Sequence, residues 1–137
     1  MFNEVCVLGI IVSMLLVGLS CSNLKPAKDE VKPFVVKLEP NNEYQPLFDG
    51  PPKTIGFRSG RVVLRPGESV GRHSTERYEE VVIVLKGEGE AFGEAFPALS
   101  IEEGTVLYFP PHTTHNIRNT GQSVLKYIYL VAPVEGK

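Results

Sequence analysis

The chain holds three histidines, His73, His112 and His115, and a carboxylate, Glu80, lies seven residues beyond the first. Side chains on a strand alternate between faces, so His73 and Thr75 share one face of their segment while Glu80 continues onto the next strand. His115 belongs to a distant strand that a closed barrel would fold against them. Two imidazoles and one carboxylate meeting at a point suit Fe(II), Mn(II), Zn(II) or Ni(II), and a facial arrangement leaves positions open for substrate or oxygen.

Each of these residues also has a structural reading, since a histidine among strands is commonly packed or solvated. Thr75 carries a hydroxyl, a poor ligand for these metals. His112, on a tight turn after Pro110 and Pro111, and Glu76, in a loop, are further candidate donors. Glu79 should point outward by alternation and stay solvated.

Tyr78, Tyr108, Tyr127, Tyr129, Phe57 and Phe109 could line a pocket, although aromatic residues in strands usually pack. Arg58 and Arg61 stand apart, because arginine at a barrel mouth attracts carboxylate or phosphate groups. The pocket candidates are therefore Arg58, Arg61 and Tyr127.

The elements that must position these groups read as strands. Short β-branched runs bounded by Gly and Pro extend from Phe34 onward, and no apolar stripe of helical spacing lasts three turns. Strands are expected at residues 34–38, 54–57, 61–65, 81–86, 88–96, 99–102, 105–109, 115–118 and 124–132. Pro66-Gly67, Lys86-Gly87, Glu103-Gly104, Pro110-Pro111 and Asn119-Thr120-Gly121 each close a run with turn-forming residues. About nine strands in roughly 100 residues suggest a sandwich or barrel.

Two segments resemble the paired motifs of the cupin superfamily. The first motif reads Gly, five residues, His-x-His, three or four residues, Glu, six residues, Gly. This chain has Gly67, His73, Thr75 in place of the second His, Glu80 and Gly87 at that spacing. The second motif reads Gly, five residues, Pro-x-Gly, two residues, His, three residues, Asn. Here it is Gly104, Pro110, His112 in place of Gly, His115 and Asn119. Eight of the ten signature positions match, and sixteen residues separate the motifs, a short spacing similar to that of compact single-domain bacterial members.

The resemblance implies an all-β fold, a single double-stranded β-helix or jelly-roll barrel over residues 34–133. It implies a divalent metal ion held by His73, Glu80 and His115, and a homodimer, to which residues 34–38 could contribute an edge strand. Gly67, Gly87, Gly104 and Asn119 are expected to serve as scaffold.

Residues 1–21 read as a leader. The run from Val5 to Leu19 is apolar apart from Ser13 and two glycines, shorter than the roughly 20 residues a spanning helix needs. Ser20-Cys21 resembles a lipobox, in which the cysteine is lipidated after cleavage. A lipoprotein is preferred over a plain cleaved signal or an uncleaved anchor, so an exported protein is expected, touching membrane through a lipid on Cys21. Residues 22–33 are polar, with Pro26 and Pro33, and read as a flexible tether.

Composition narrows the function classes. With 42% hydrophobic and 22% charged residues in 137, the chain can bury one core. A net charge of −2 without a Lys or Arg run gives no footprint for nucleic acid. Three readings stay open: a metal-dependent enzyme of dioxygenase, isomerase or lyase class acting on a small carbohydrate or carboxylate compound, a non-catalytic module binding a ligand such as a sugar, and a structural protein.

Overall fold

The computed structural model describes residues 31–134. The expected leader, and the tether up to Glu30, lie outside the described residues. Among the described residues no helix is long and apolar enough to cross a membrane.

Nine strands form the body: β1 (Tyr44–Asp49), β2 (Arg58–Leu64), β3 (His73–Ser74), β4 (Tyr78–Lys86), β5 (Glu88–Gly93), β6 (Leu99–Glu102), β7 (Val106–Phe109), β8 (Thr114–Asn119) and β9 (Leu125–Pro133). They build a five-stranded sheet in the order β1-β2-β9-β4-β7 and a four-stranded sheet in the order β3-β8-β5-β6. Every strand pair is antiparallel. The two sheets face one another as a jelly roll.

The pleat decides which side chains meet between the sheets. On β4, Glu80, Val82 and Val84 are buried while Val81 and Ile83 are half-buried on the other face. Cross-strand partners share a face, so Val82 lies beside Tyr129 and Val84 beside Tyr127. With Leu64, Ala91, Ile101, Phe109, Ile117 and Leu125 they close one core. Full burial of such a side chain contributes roughly 1.5–3 kcal/mol, so the strands carrying the site are held chiefly by this seam.

The glycines and asparagine of the motifs are scaffold. Gly67, Gly87 and Gly104 all have φ between 81° and 85°. At Gly87 a Cβ would also lie 2.4 Å from the Val124 carbonyl oxygen, so the turn into β5 admits no side chain. Asn119 is buried and donates to the Leu64 and Ser123 carbonyls, while its Oδ1 accepts from Gly121 N–H.

The segmentation departs from expectation at four places. Residues 34–38 form no strand; they are an extended arm whose Lys37 carbonyl accepts from Gln45 Nε2, and Glu39 N–H donates to Gln45 Oε1. One buried amide side chain thus takes the place of a ladder. Residues 54–57 form a turn, because Thr54 Oγ1 caps the Phe57 carbonyl and Thr54 N–H reaches the Gly50 carbonyl. Strand β1 was not expected; it carries Pro46, which an edge strand with a bulge between Pro46 and Phe48 tolerates. Strand β3, at two residues, is too short to show any periodicity.

Candidate metal centre

The two histidines come from neighbouring strands of the smaller sheet. His73 on β3 and His115 on β8 are direct cross-strand partners, and their rings lie 4.3 Å apart, edge to face. Glu80 reaches them from β4 in the facing sheet. Its Oε2 stands 3.5 Å from His115 Nε2 and 4.0 Å from His73 Nε2. One ligand atom from each of the three residues lies within 4.8 Å of the others. His115 and Glu80 are buried, whereas the His73 side chain is 46% exposed and faces the approach.

Backbone carbonyls set the orientation of both imidazoles. His73 Nδ1 lies 3.0 Å from the Gly71 oxygen and His115 Nδ1 3.3 Å from the Thr113 oxygen. A carbonyl oxygen only accepts, so in each neutral ring Nδ1 carries the proton and Nε2 presents a lone pair. Phe109 stacks on His115 at 3.7 Å with the planes 13° apart, and Phe109 is also the β7 partner of Glu80. The ring therefore supports both buried groups.

Among the described residues His115 Nε2 has no hydrogen-bond partner, and it is buried from solvent. An orphaned buried acceptor costs stability unless something fills its lone pair. A divalent cation fits: it would accept density from both Nε2 atoms and from the Glu80 carboxylate, the mixed N/O set that suits first-row metals. Burial, eased by His73, pushes the Glu80 carboxyl up to about 7. Burial, and next the neighbouring His73, lower His115 to about 4. Burial thus favours the neutral form of both groups, so an ion entering the site competes with the Glu80 proton and finds the His115 imidazole unprotonated near neutral pH.

The remaining candidate donors have other partners or positions, although Thr75 and Glu76 line the same cavity as His73 and Glu80. Thr75 Oγ1 donates to the Pro110 carbonyl and accepts from Thr113 N–H, both at 2.9 Å, which ties the turn before β8 and commits the hydroxyl to the backbone. His112 is exposed, outside the ligand cluster, with φ at 60°. It occupies the place of the motif's glycine in the left-handed backbone that explains a glycine there. Glu76 is exposed with φ at 51°, and its carbonyl accepts from His112 N–H. Glu79 points to the outer face and accepts from Tyr108 Oη.

A cavity of about 610 Å³ opens beside His73 and Glu80, and its lining includes Arg58, Tyr78, Tyr127, Tyr129 and Val131, while His115 borders a separate hollow with Phe92 and Asn116. Of the pocket candidates, Arg58 and Tyr127 are therefore in place and Arg61 is not. An odd spacing along one strand puts Arg58 and Arg61 on opposite faces. Arg61 is buried on the outer face beside Ile128, with its guanidinium donating to the Asn42 carbonyl. Phe57 stacks edge to face on Phe48, away from the cavity.

The sequence reading missed Tyr44, whose hydroxyl pairs with that of Tyr129 at 2.8 Å, because β1 went unrecognised. Gly60 was missed as well: a Cβ there would stand 2.8 Å from the Tyr129 ring, so its absence lets the ring lie across β2. Val131 was missed too, although 127, 129 and 131 repeat with period two on the strand expected there.

An antiparallel jelly roll with two His and one Glu converging on its interior defines a class of small β-barrel proteins with a metal-competent centre. The Cupin domain family matches residues 60–131, and the chain belongs to that family. It is 34% identical over 71 residues to an oxalate-binding protein of Thermotoga maritima, covering 52% of this chain and 58% of that protein. The chain thus spans little more than half the length of that relative. The crystal structure of a predicted oxalate decarboxylase from Thermotoga maritima superposes with a TM-score of 0.53 at 30% identity, covering 56% of this chain and 66% of that one. A Bacillus halodurans structure superposes with a TM-score of 0.64 at 23% identity over 77% of this chain and 85% of its own, a likeness of fold.

Proposed function

We propose that this chain is an exported cupin that holds a divalent ion on His73, Glu80 and His115 and takes up a small carboxylate compound at that ion. The observation that carries this reading is the buried Nε2 of His115, unpartnered among the described residues, which clusters with His73 Nε2 and a Glu80 oxygen, the latter two residues also lining an open cavity. The oxalate-related names of the two Thermotoga relatives support a carboxylate as the ligand class.

When bound, the ion would supply Lewis-acid polarisation of a carboxylate oxygen, and with iron or manganese also redox capacity. The chain's own residues do the rest. Gly71 and Thr113 carbonyls hold the Nδ1 protons, so the two Nε2 atoms stay aimed at Glu80. Phe109 covers the buried side and keeps water from His115. Tyr127 and Tyr129, with hydroxyls that burial holds protonated well above neutral pH, line the wall and can donate to a ligand oxygen.

Elemental analysis after chelation and reconstitution tests the centre: about one ion per chain is expected, and none in His115→Ala. Absence of metal from wild type ends the proposal.

Binding without turnover is a second reading, favoured by the sparse supply of bases. Among the described residues Glu76, at the exposed rim, is the one carboxylate lining the cavity besides Glu80. Oxalate recovered unchanged after incubation with iron- or manganese-loaded protein, together with ligand-dependent thermal stabilisation, would favour it. Release of carbon dioxide or another product would exclude it.

Export and a homodimer complete the proposal. A fatty-acid label on the cellular protein that is lost in Cys21→Ser tests the first. Light scattering tests the second, and a monomer at micromolar concentration would remove it.

A further inference from the structure

The strand register places a second charged group opposite the metal ligands. Arg58 on β2 pairs with Val131 on β9, and Val131 pairs with Glu80 on β4. Directly paired residues share a face, so Arg58, Val131 and Glu80 form one row across the inner face of the sheet. Two strand spacings put the Arg58 and Glu80 backbones about 10 Å apart. Both side chains line the same cavity.

Arg58 is held in that position. Its Cγ would lie 3.1 Å from a Cβ at Gly50, so the aliphatic stem packs against bare backbone. Its exposed guanidinium sits 5.0 Å from the centre of the Tyr78 ring, a cation–π placement at the mouth of the cavity. The acidic residue opposite it in the β1–β2 register, Asp49, is engaged instead by Lys53 at 2.5 Å. A guanidinium offers a planar fork of donors that matches a carboxylate, and among the described residues this one has no carboxylate partner.

Oxalate has its two carboxylates directly bonded, and both can chelate a single ion, which leaves nothing for a group on the far side of the row. The cavity of about 610 Å³ is several times larger than such a ligand requires. We propose that Arg58 is a specificity-determining residue that reads a second anionic group on a longer ligand, one whose first carboxylate engages the ion at His73, Glu80 and His115. The ligand class is a short-chain dicarboxylate in which carbon atoms separate the acidic ends, with Tyr129 and Val131 flanking the chain between them. This rests on the metal reading above and deepens it.

Calorimetric titration of the manganese-loaded full chain with oxalate, succinate, glutarate and butyrate tests the proposal. Succinate or glutarate should bind at least about tenfold more tightly than butyrate and also more tightly than oxalate, the effect expected of one charge-assisted carboxylate pair. In Arg58→Gln that preference should shrink to within about twofold, while Arg58→Lys, which keeps the charge but not the fork, should retain part of it. Manganese affinity should stay unchanged in both variants, and thermal melts check that both fold. A preference for succinate or glutarate that survives in Arg58→Gln overturns the proposal, as does a wild type that favours neither over butyrate and oxalate or binds none of the probes. Failure of manganese to bind at all overturns the metal centre itself, whereas bound manganese without an Arg58 effect overturns this proposal alone.

Discussion

Glu80 is the residue through which pH acts most directly on the centre. Its carboxyl is raised to about 7 by burial, so an ion arriving at pH 6 must displace about one proton from it, and at pH 8 almost none. Manganese affinity should therefore climb between pH 6 and 8 and level off above, and calorimetry in buffers of different ionisation enthalpy would count the released protons. The metal-free protein should respond in the opposite sense. A folded-state carboxyl raised above its unfolded value favours folding fully below about pH 4.5, and that advantage is lost as pH rises through about 7. Glu80→Gln should then be more stable than wild type at pH 8 without metal, by on the order of 3 kcal/mol at most, and the difference should vanish near pH 4.5. His115 works the other way: its lowered value means stability present above about 6.5 and lost as pH falls through about 4. His112 supplies the control. Because it lies outside the ligand cluster in left-handed backbone, His112→Gly should leave manganese affinity unchanged, and a large loss would make it a ligand.

At the level of elements, the centre is only as well placed as the short pieces that carry it. Thr75 sits where a third histidine would be expected, and its hydroxyl joins Pro110 to Thr113 across the entrance to β8. Thr75→Val removes both bonds with little change in shape and should cost about 1–3 kcal/mol in chemical denaturation, since it strands a buried N–H and a carbonyl. Gly60→Val should drive Tyr129 off β2, break its hydroxyl pair with Tyr44 and destabilise the fold by about 1–3 kcal/mol. Ligand affinity should fall while metal binding survives. The motif spacing made the clustered His73, Glu80 and His115 legible in the sequence, because each stands at a fixed distance from a glycine or asparagine that only a turn requires. The pocket was less so. Arg61 looked equivalent to Arg58 until the start of β2 was known, and Tyr44 was hidden behind Pro46, a residue that argues against a strand except at an edge. The arm at residues 34–38 carries the composition of a strand, but its partner is one glutamine side chain.

For the molecule as a whole, the open edges matter most. The five-stranded sheet ends at β1 and β7, and on β7 Val106 and Tyr108 are 66% and 53% exposed. An uncovered edge with apolar side chains is a template for another chain, which supports the expected homodimer. Val106→Lys should then raise the monomer fraction in sedimentation velocity without altering metal content. A dimer unaffected by that change would place the contact elsewhere.

Because Glu80 belongs to one sheet while His73 and His115 belong to the other, any ion seated among them rivets the two walls of the barrel together. His73 rides on β3, the shortest strand, paired with β8 at only two positions. Loading with metal should accordingly slow amide exchange most at β3 and the turn that follows it, and raise the melting temperature as the logarithm of ion concentration. Chelation would then loosen the lip of the vessel before its floor, so that gain and loss of the ion also govern how readily the interior is entered.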